Sequence, residues 1–199
     1  MDIVVRETDR LNTIITDFLE YARPKTTHDD PIALSSVLDE TITLLKNSKE
    51  FVDGIRISCN VDPRINTRGD AQRMRQVFWN LLINSCQAMP NGGEMTISAN
   101  PFSHGEESSA WCEIIIADTG QGISPEYLAK IFDPFFTTKV GGTGLGLAIA
   151  YRIIDDHGGT IAVEAEEGKG TKFRILIPMI EDPSHPETVN GRISNRSVA

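Results

Sequence analysis

Apolar residues recur at heptad spacing over residues 4–22. Val4, Leu11 and Phe18 fall on one line, Thr8, Ile15 and Ala22 on its neighbour, and Ile14 and Tyr21 lie alongside. This pattern predicts a helix stopped by Pro24. A seam so apolar implies pairing with another helix, the alternative being a terminal helix packed on its own domain. Residues 25–31 read as a linker. Ser35 or Ser36 is then expected to cap a helix running through Leu45. Residues 55–61 and 65–68 have strand-like content, split by Asp62-Pro63. Asp70 is the expected N-cap of a helix over 71–89, whose Val77, Leu81 and Leu82 face a sheet. Asn91-Gly92-Gly93 turns the chain into a strand over 94–99, and a polar loop over 103–109 leads to another over 111–117. Pro125 opens a short helix ending near Ile131. A longer helix over 145–154 closes at His157-Gly158-Gly159, and strands 160–165 and 171–177 form a hairpin around Glu167-Gly168-Lys169-Gly170. From Glu181 onward there is little to pack, and disorder is expected. The ordered body, residues 32–180, is therefore expected to be an α/β two-layer sandwich, with helices over one sheet face and the chemistry on the helix side and in the loops.

Composition narrows the functional classes. The 199 residues are 40% apolar and 24% charged, as in a soluble globular protein. A net charge of -9 argues against a nucleic-acid binder driven by phosphate attraction, yet permits a nucleotide whose charge is offset by magnesium and local donors. Cys59, Cys86 and Cys112 lack paired metal-ligand spacing and read as buried thiols in a reducing compartment. Neither a secretory signal nor a membrane-length apolar run is present, so the chain itself is expected to be cytoplasmic, with no membrane segment.

The candidate chemistry lies in four stretches. Asp118 follows an apolar strand and enters the turn Asp118-Thr119-Gly120-Gln121-Gly122, where glycines let the backbone approach a ligand and the carboxylate can accept from an exocyclic amine. Asn80 and Asn84 sit one helical turn apart. A neutral carbonyl suits magnesium, with Asn84 as the direct contact and Asn80 in an orienting role. Gly142-Thr143-Gly144-Leu145-Gly146-Leu147 places alternate glycines before an apolar helix, whose N-H groups can meet phosphate oxygens. It lacks the Lys-Ser/Thr ending of a P-loop and the preceding strand of a dinucleotide fingerprint. Lys139, just upstream, can neutralise a terminal phosphate. Phe132, Phe135 and Phe136 surround Asp133-Pro134 and serve either core packing or the docking of a lid or partner domain. His157 reads as a helix terminator, while His28, His104 and His185 lack any activating carboxylate. In this order the stretches read as an ATP site.

With these motifs in place, residues 9–178 resemble sensor histidine kinases of two-component signalling, especially the nitrogen-regulation type. The resemblance rests on Asp9-Arg10-Leu11 with Phe18-Leu19-Glu20-Tyr21-Ala22-Arg23-Pro24, Asn80-Leu81-Leu82-Ile83-Asn84, the Asp118 turn through Ile123, residues 131–139, the 142–147 glycines and His157-Gly158-Gly159. It implies a Bergerat-type (GHKL) ATP-binding fold with an N-terminal heptad helix. It also implies ATP and Mg2+ as cofactors, Asn84 as metal ligand and Asp118 as adenine acceptor. Asn80, Asn84 and Lys139 are implied as catalytic. Nucleotide contacts are implied at Gln87, Gly120, Gly122, Ile123, Phe132, Lys139, residues 142–147 (Gly142, Thr143, Gly144, Leu145, Gly146, Leu147) and Thr171. Residues 1–24 look like the second helix of a dimerisation and phosphotransfer hairpin. Its partner helix, which bears the acceptor histidine, is read as absent, so the chain is expected to bind ATP without accepting the phosphoryl group itself. Expected partners are that histidine-bearing helix and a response-regulator receiver domain, with a homodimer in the intact protein. Two positions invite comparison with relatives. Gln87 stands where many put a lysine or arginine, and Asn80 stands where related ATPases put a water-activating glutamate, which disfavours fast hydrolysis. The rival expectations are a nonenzymatic nucleotide-gated interaction module and a serine-directed kinase of the anti-sigma type.

Overall fold

The computed structural model describes residues 2–22, 30–102, 111–139 and 141–180. The stop at Pro24, most of the linker, the loop over 103–109 and the tail over 181–199 lie outside the described residues. In chain order the elements are α1 (Asp2–Ala22), β1 (Asp30–Ala33), α2 (Leu34–Lys46), β2 (Ile55–Val61), β3 (Asn66–Gly69), α3 (Ala71–Ala88), β4 (Gly93–Phe102), β5 (Trp111–Asp118), α4 (Pro125–Leu128), α5 (Gly146–Asp156), β6 (Thr160–Glu166) and β7 (Gly170–Pro178).

Five strands form one sheet in the order β2-β4-β5-β7-β6, and β1 pairs with β3 in a separate two-stranded ribbon. Among the described strands only β2 and β4 run parallel; the other neighbours are antiparallel. In β5 the alternation sends Cys112, Ile114, Ile116 and Asp118 to the buried side, because successive side chains in a strand point to opposite faces. That side is packed by the apolar rows of the helices: Leu38, Ile42 and Leu45 of α2, Met74, Val77, Phe78, Leu81 and Leu82 of α3, and Ile149, Ile153 and Ile154 of α5. The two-layer sandwich expected from the hydrophobic pattern is the observed architecture.

Four local expectations change. No serine caps α2: its N-cap is Ala33, without a side-chain bond, and the Leu34 N-H instead donates to the Ile65 carbonyl at 3.2 Å. That bond reflects β1, read in the sequence as linker and its immediate continuation, which pairs with β3 through Asp30↔Gly69 and Ala33↔Asn66. β4 continues through Pro101, where pairing to β2 has already ended at Ala99, so no ladder bond on that side needs the missing N-H. Cys59 is exposed rather than buried, because β2 is an edge strand with few covered positions; Cys86 and Cys112 are buried as expected. By contrast, Asp70 caps α3 as predicted, accepting from the N-H groups of Gln72 at 2.8 Å and Arg73 at 3.3 Å.

At the end of α3 remote from the sheet's glycine turns, two polar links tie it to α5. The buried Arg73 guanidinium donates to Asp156 at 2.7 Å. His157 contacts the Ile153 carbonyl through Nδ1 at 2.7 Å and accepts the Asp70 N-H at Nε2 at 3.3 Å, an arrangement that fits the neutral ring with its proton on Nδ1. Burial correspondingly pushes the His157 pKa below its ordinary value. His157 thus ends α5, as expected, and its ring packs at the α3 cap, against Gly69 of β3. α1 lies against α5, with Arg152 stacked over the Tyr21 ring at 5.4 Å. Leu11, Ile15, Phe18 and Leu19 of α1 stay exposed, leaving much of the apolar seam open.

Candidate functional site

The C-terminal half of α3, the turn after β5 and the segment preceding α5 enclose a cleft of about 610 Å³. At its floor is Asp118, only 7% exposed. Oδ1 accepts the N-H groups of Gly120 at 2.9 Å and Thr171 at 3.3 Å, and Oδ2 accepts the Ser85 hydroxyl at 2.9 Å. Burial raises the Asp118 pKa, while these hydrogen bonds and the Lys139 charge oppose the rise. The result is an oriented acceptor whose geometry is set by two strands and a helix. Ser85 was not singled out in the sequence. The signal was available: it continues the buried row of α3 at helical spacing from Leu81 and Leu82, and a hydroxyl there needs a partner.

The turn after Asp118 is shaped by close backbone approach. Gly122 has φ +70°, and a Cβ there would lie 2.0 Å from the Glu166 carbonyl oxygen. This position therefore excludes side chains twice, by conformation and by space. Gln121 is pinned by its N-H to Ala88 and by its carbonyl to the Gly168 N-H. Gly122 and Ile123 line the cleft beside Asp118 and Thr171.

On α3, the Asn80 side-chain amide donates to the Gly146 carbonyl at 2.9 Å, tying α3 to the start of α5. Asn84 Oδ1 and Gln87 Oε1 both accept from the Lys139 ammonium, at 2.6 and 2.5 Å. Lys139 is exposed along its length, but its ammonium reaches the cleft, where desolvation lowers its pKa and Asp118 opposes the shift. These hard, neutral carbonyl oxygens are suited to a magnesium ion that takes its remaining ligands from phosphates and water, and Asn84 already faces a cation. Among the described residues there is no cluster of three or more His, Cys, Asp or Glu that could hold a metal without such help.

The glycine segment forms a strap. Thr143 donates from its hydroxyl to Asp17 of α1 at 2.8 Å and accepts the Leu145 N-H at 3.3 Å. The Phe135 N-H donates to the Gly144 carbonyl at 2.9 Å. Phe135 itself has φ +67°, an uncommon conformation for an aromatic residue, and its ring is exposed. α5 begins at Gly146 without a side-chain cap, so the N-H groups of its first turn remain available to an anion. Gly142, Thr143, Gly144, Gly146 and Leu147 line the cleft.

Three expected contacts, Leu145, Phe132 and Gly120, fall outside the cleft lining. Leu145 is fully buried in the core, and Phe132 packs on Tyr151, with centroids 5.5 Å apart; of Phe132, Phe135 and Phe136 it is Phe136, set against Tyr127 at 5.7 Å, that lines the cleft. Gly120 acts through its N-H on Asp118 rather than from the lining. Asp17 is the contribution that no local motif announced, since it is brought to the strap only by the packing of α1.

A family profile described as "Histidine kinase-, DNA gyrase B-, and HSP90-like ATPase" matches residues 69–181. The sensor histidine kinase ZraS of Escherichia coli strain K12 is 35% identical over 180 residues, covering 89% of this chain and 37% of ZraS. The chain thus spans little more than a third of that relative's length. Among solved structures, full-length ShkA in complex with AMPPNP aligns at 28% identity and a TM-score of 0.75, covering 90% of this chain and 38% of ShkA. Histidine kinase ThkA in complex with the response regulator protein TrrA aligns at 28% identity and a TM-score of 0.69, covering 93% of this chain and 51% of ThkA.

Proposed function

Because this chain belongs to the histidine kinase-, DNA gyrase B- and HSP90-like ATPase family and carries a histidine-kinase catalytic domain, we propose that it transfers the γ-phosphoryl group of ATP to a histidine on a separate helix. That group then passes to a receiver domain of a response regulator. The single observation carrying this reading is Asp118, a buried carboxylate fixed by three protein donors at the floor of a cleft whose other end is an uncapped helix N-terminus. One end selects a base with an exocyclic amine, and the other receives anionic oxygens.

In this reading Asp118 accepts from adenine, while Gly122 and Ile123 shape the base-binding wall. Asn80 holds the strap through Gly146, and the first-turn N-H groups of α5 meet phosphate. Asn84 would hold the magnesium ion, which when bound offsets phosphate charge and orients the terminal group. Asn80 is an amide engaged with backbone, so it does not act as a base toward water, and transfer to an imidazole is favoured over hydrolysis. His157 is not the acceptor, since both of its ring nitrogens are engaged, Nδ1 with the Ile153 carbonyl of α5 and Nε2 with the Asp70 N-H at the α3 cap. The open α1 seam supports α1 as one helix of a paired hairpin within a homodimer. The nitrogen-regulation subtype and a cytoplasmic site for the reaction belong to the same proposal. Among the described residues no helix is long and apolar enough to cross a membrane.

Incubation with labelled ATP and a separately supplied histidine-bearing hairpin domain tests the reading. The expected product is an acid-labile, base-stable phosphoprotein. Nucleotide binding without transfer in any productive pairing would instead support an interaction module, and labelling of a serine protein would support the anti-sigma type.

A further inference from the structure

Two side-chain carbonyls converge on one cation in the cleft, and only one of them belongs to the asparagine pair recognised in the sequence. Asn84 and Gln87 lie three residues apart on α3, a spacing that places them on one helix face. The Lys139 ammonium lies 2.6 Å from Asn84 Oδ1 and 2.5 Å from Gln87 Oε1. An ammonium has donors only, so both amides must present oxygen to it, which fixes their orientation.

We propose that Gln87 is a second side-chain ligand for the divalent ion, completing with Asn84 a two-carbonyl cation seat that Lys139 occupies as a stand-in until the metal nucleotide arrives. This rests on the reading of the cleft as a magnesium-nucleotide site and adds a ligand to it. Both oxygens are neutral, so the seat holds a hard cation weakly by itself and strongly only when phosphate oxygens supply negative charge. An ammonium and a divalent ion repel at hydrogen-bond distance and cannot share the seat. Arrival of the ion therefore releases Lys139, whose ammonium is what holds it at the seat, toward the terminal phosphate. A lysine or arginine at position 87 would instead place a fixed positive charge in the seat, so glutamine and Lys139 together make the positive charge exchangeable.

The experiment compares ADP affinity by calorimetry in Mn2+ and in EDTA, with free Mn2+ followed by electron paramagnetic resonance. Gln87 is exposed, and its truncation leaves the core intact. Gln87→Ala is expected to weaken Mn2+-dependent ADP binding by about tenfold while leaving the affinity in EDTA unchanged, with Gln87→Glu restoring Mn2+ dependence. Lys139→Met is expected to increase Mn2+ binding in the absence of nucleotide. Intact Mn2+ dependence in Gln87→Ala, or equal weakening in both conditions, would overturn the assignment. Asn84→Ala separates the two levels of the argument: if it abolishes the Mn2+ effect while Gln87→Ala does not, the metal-nucleotide site stands and only the second ligand falls. If neither variant changes the effect, both fall.

Discussion

The two ends of the cleft are built on opposite principles. At the Asp118 end, every polar group that shapes the site is held by the sheet or by buried helix: Thr171 comes from β7, Ser85 from the covered face of α3, and Gly120 from a turn pinned to Ala88. At the strap end, the positions are set by reaching side chains, with Lys139 on Asn84 and Gln87, Thr143 on Asp17, and Asn80 on Gly146. The first end is preorganised, so binding there requires little rearrangement. In the second, the proposed exchange is that of Lys139, which would give up Asn84 and Gln87 to the metal nucleotide. In the proposed reading, base recognition would thus be a property of the fold, and phosphate recognition a property of contacts that can be traded.

The largest break in this comparison is expected from Asp118→Asn. The substitution preserves shape but replaces one acceptor oxygen with a donor, removing the charge-assisted bond proposed to an exocyclic amine. A loss of about 3 kcal/mol, roughly a hundredfold in affinity, is expected for ATP and equally for adenosine, measured by calorimetry. Retained adenosine affinity would mean that the base is read elsewhere.

Gly144→Ala strikes the other end. The new Cβ would lie 2.4 Å from the Phe135 carbonyl carbon, at a residue with φ +68°, so the strap must shift. A local cost of about 1–3 kcal/mol is expected. ATP affinity should fall about tenfold while adenosine affinity stays within about twofold, because in the proposed reading the displaced contacts serve phosphate only. Equal losses for both ligands would show that the ends are mechanically coupled and would remove the distinction.

Legibility in the sequence followed the same division. The α3 cap at Asp70, the acidic turn at Asp118 and the strand ending before it depend on residues close together in the chain, and local chemistry announced them. β1 went unread because Pro31 and a short polar context hide a strand that exists only through its pairing with β3. The same applies to Asp17 on Thr143 and Lys139 on Gln87, contacts separated by 126 and 52 residues. Phe132 and Leu145 were named with their motifs, but motif membership does not say which side of a loop faces the cleft. There the packing against Tyr151 and the core decided.

Ser85→Ala is the smallest and most discriminating change, because it leaves the Asp118 carboxylate in place and removes one of its donors. A loss of about 1 kcal/mol in adenosine binding at neutral pH is expected. The pH dependence carries more information. Burial raises the Asp118 pKa in the folded protein, so between the ordinary carboxylate value and the raised one the native state binds more protons than the unfolded chain. This group's contribution to stability therefore falls as pH rises through that window, whereas adenine binding, which in the proposed reading needs the ionised acceptor, is expected to fall as pH drops through it. Removing the Ser85 hydroxyl takes away a bond that favours the ionised form, so the pKa rises further and the binding edge moves to higher pH. Calorimetric titrations across the acid range should show that displacement in Ser85→Ala and its absence in Asp118→Asn. An unmoved edge in Ser85→Ala would mean that the Ser85 hydroxyl does not help to set the charge of the Asp118 carboxylate.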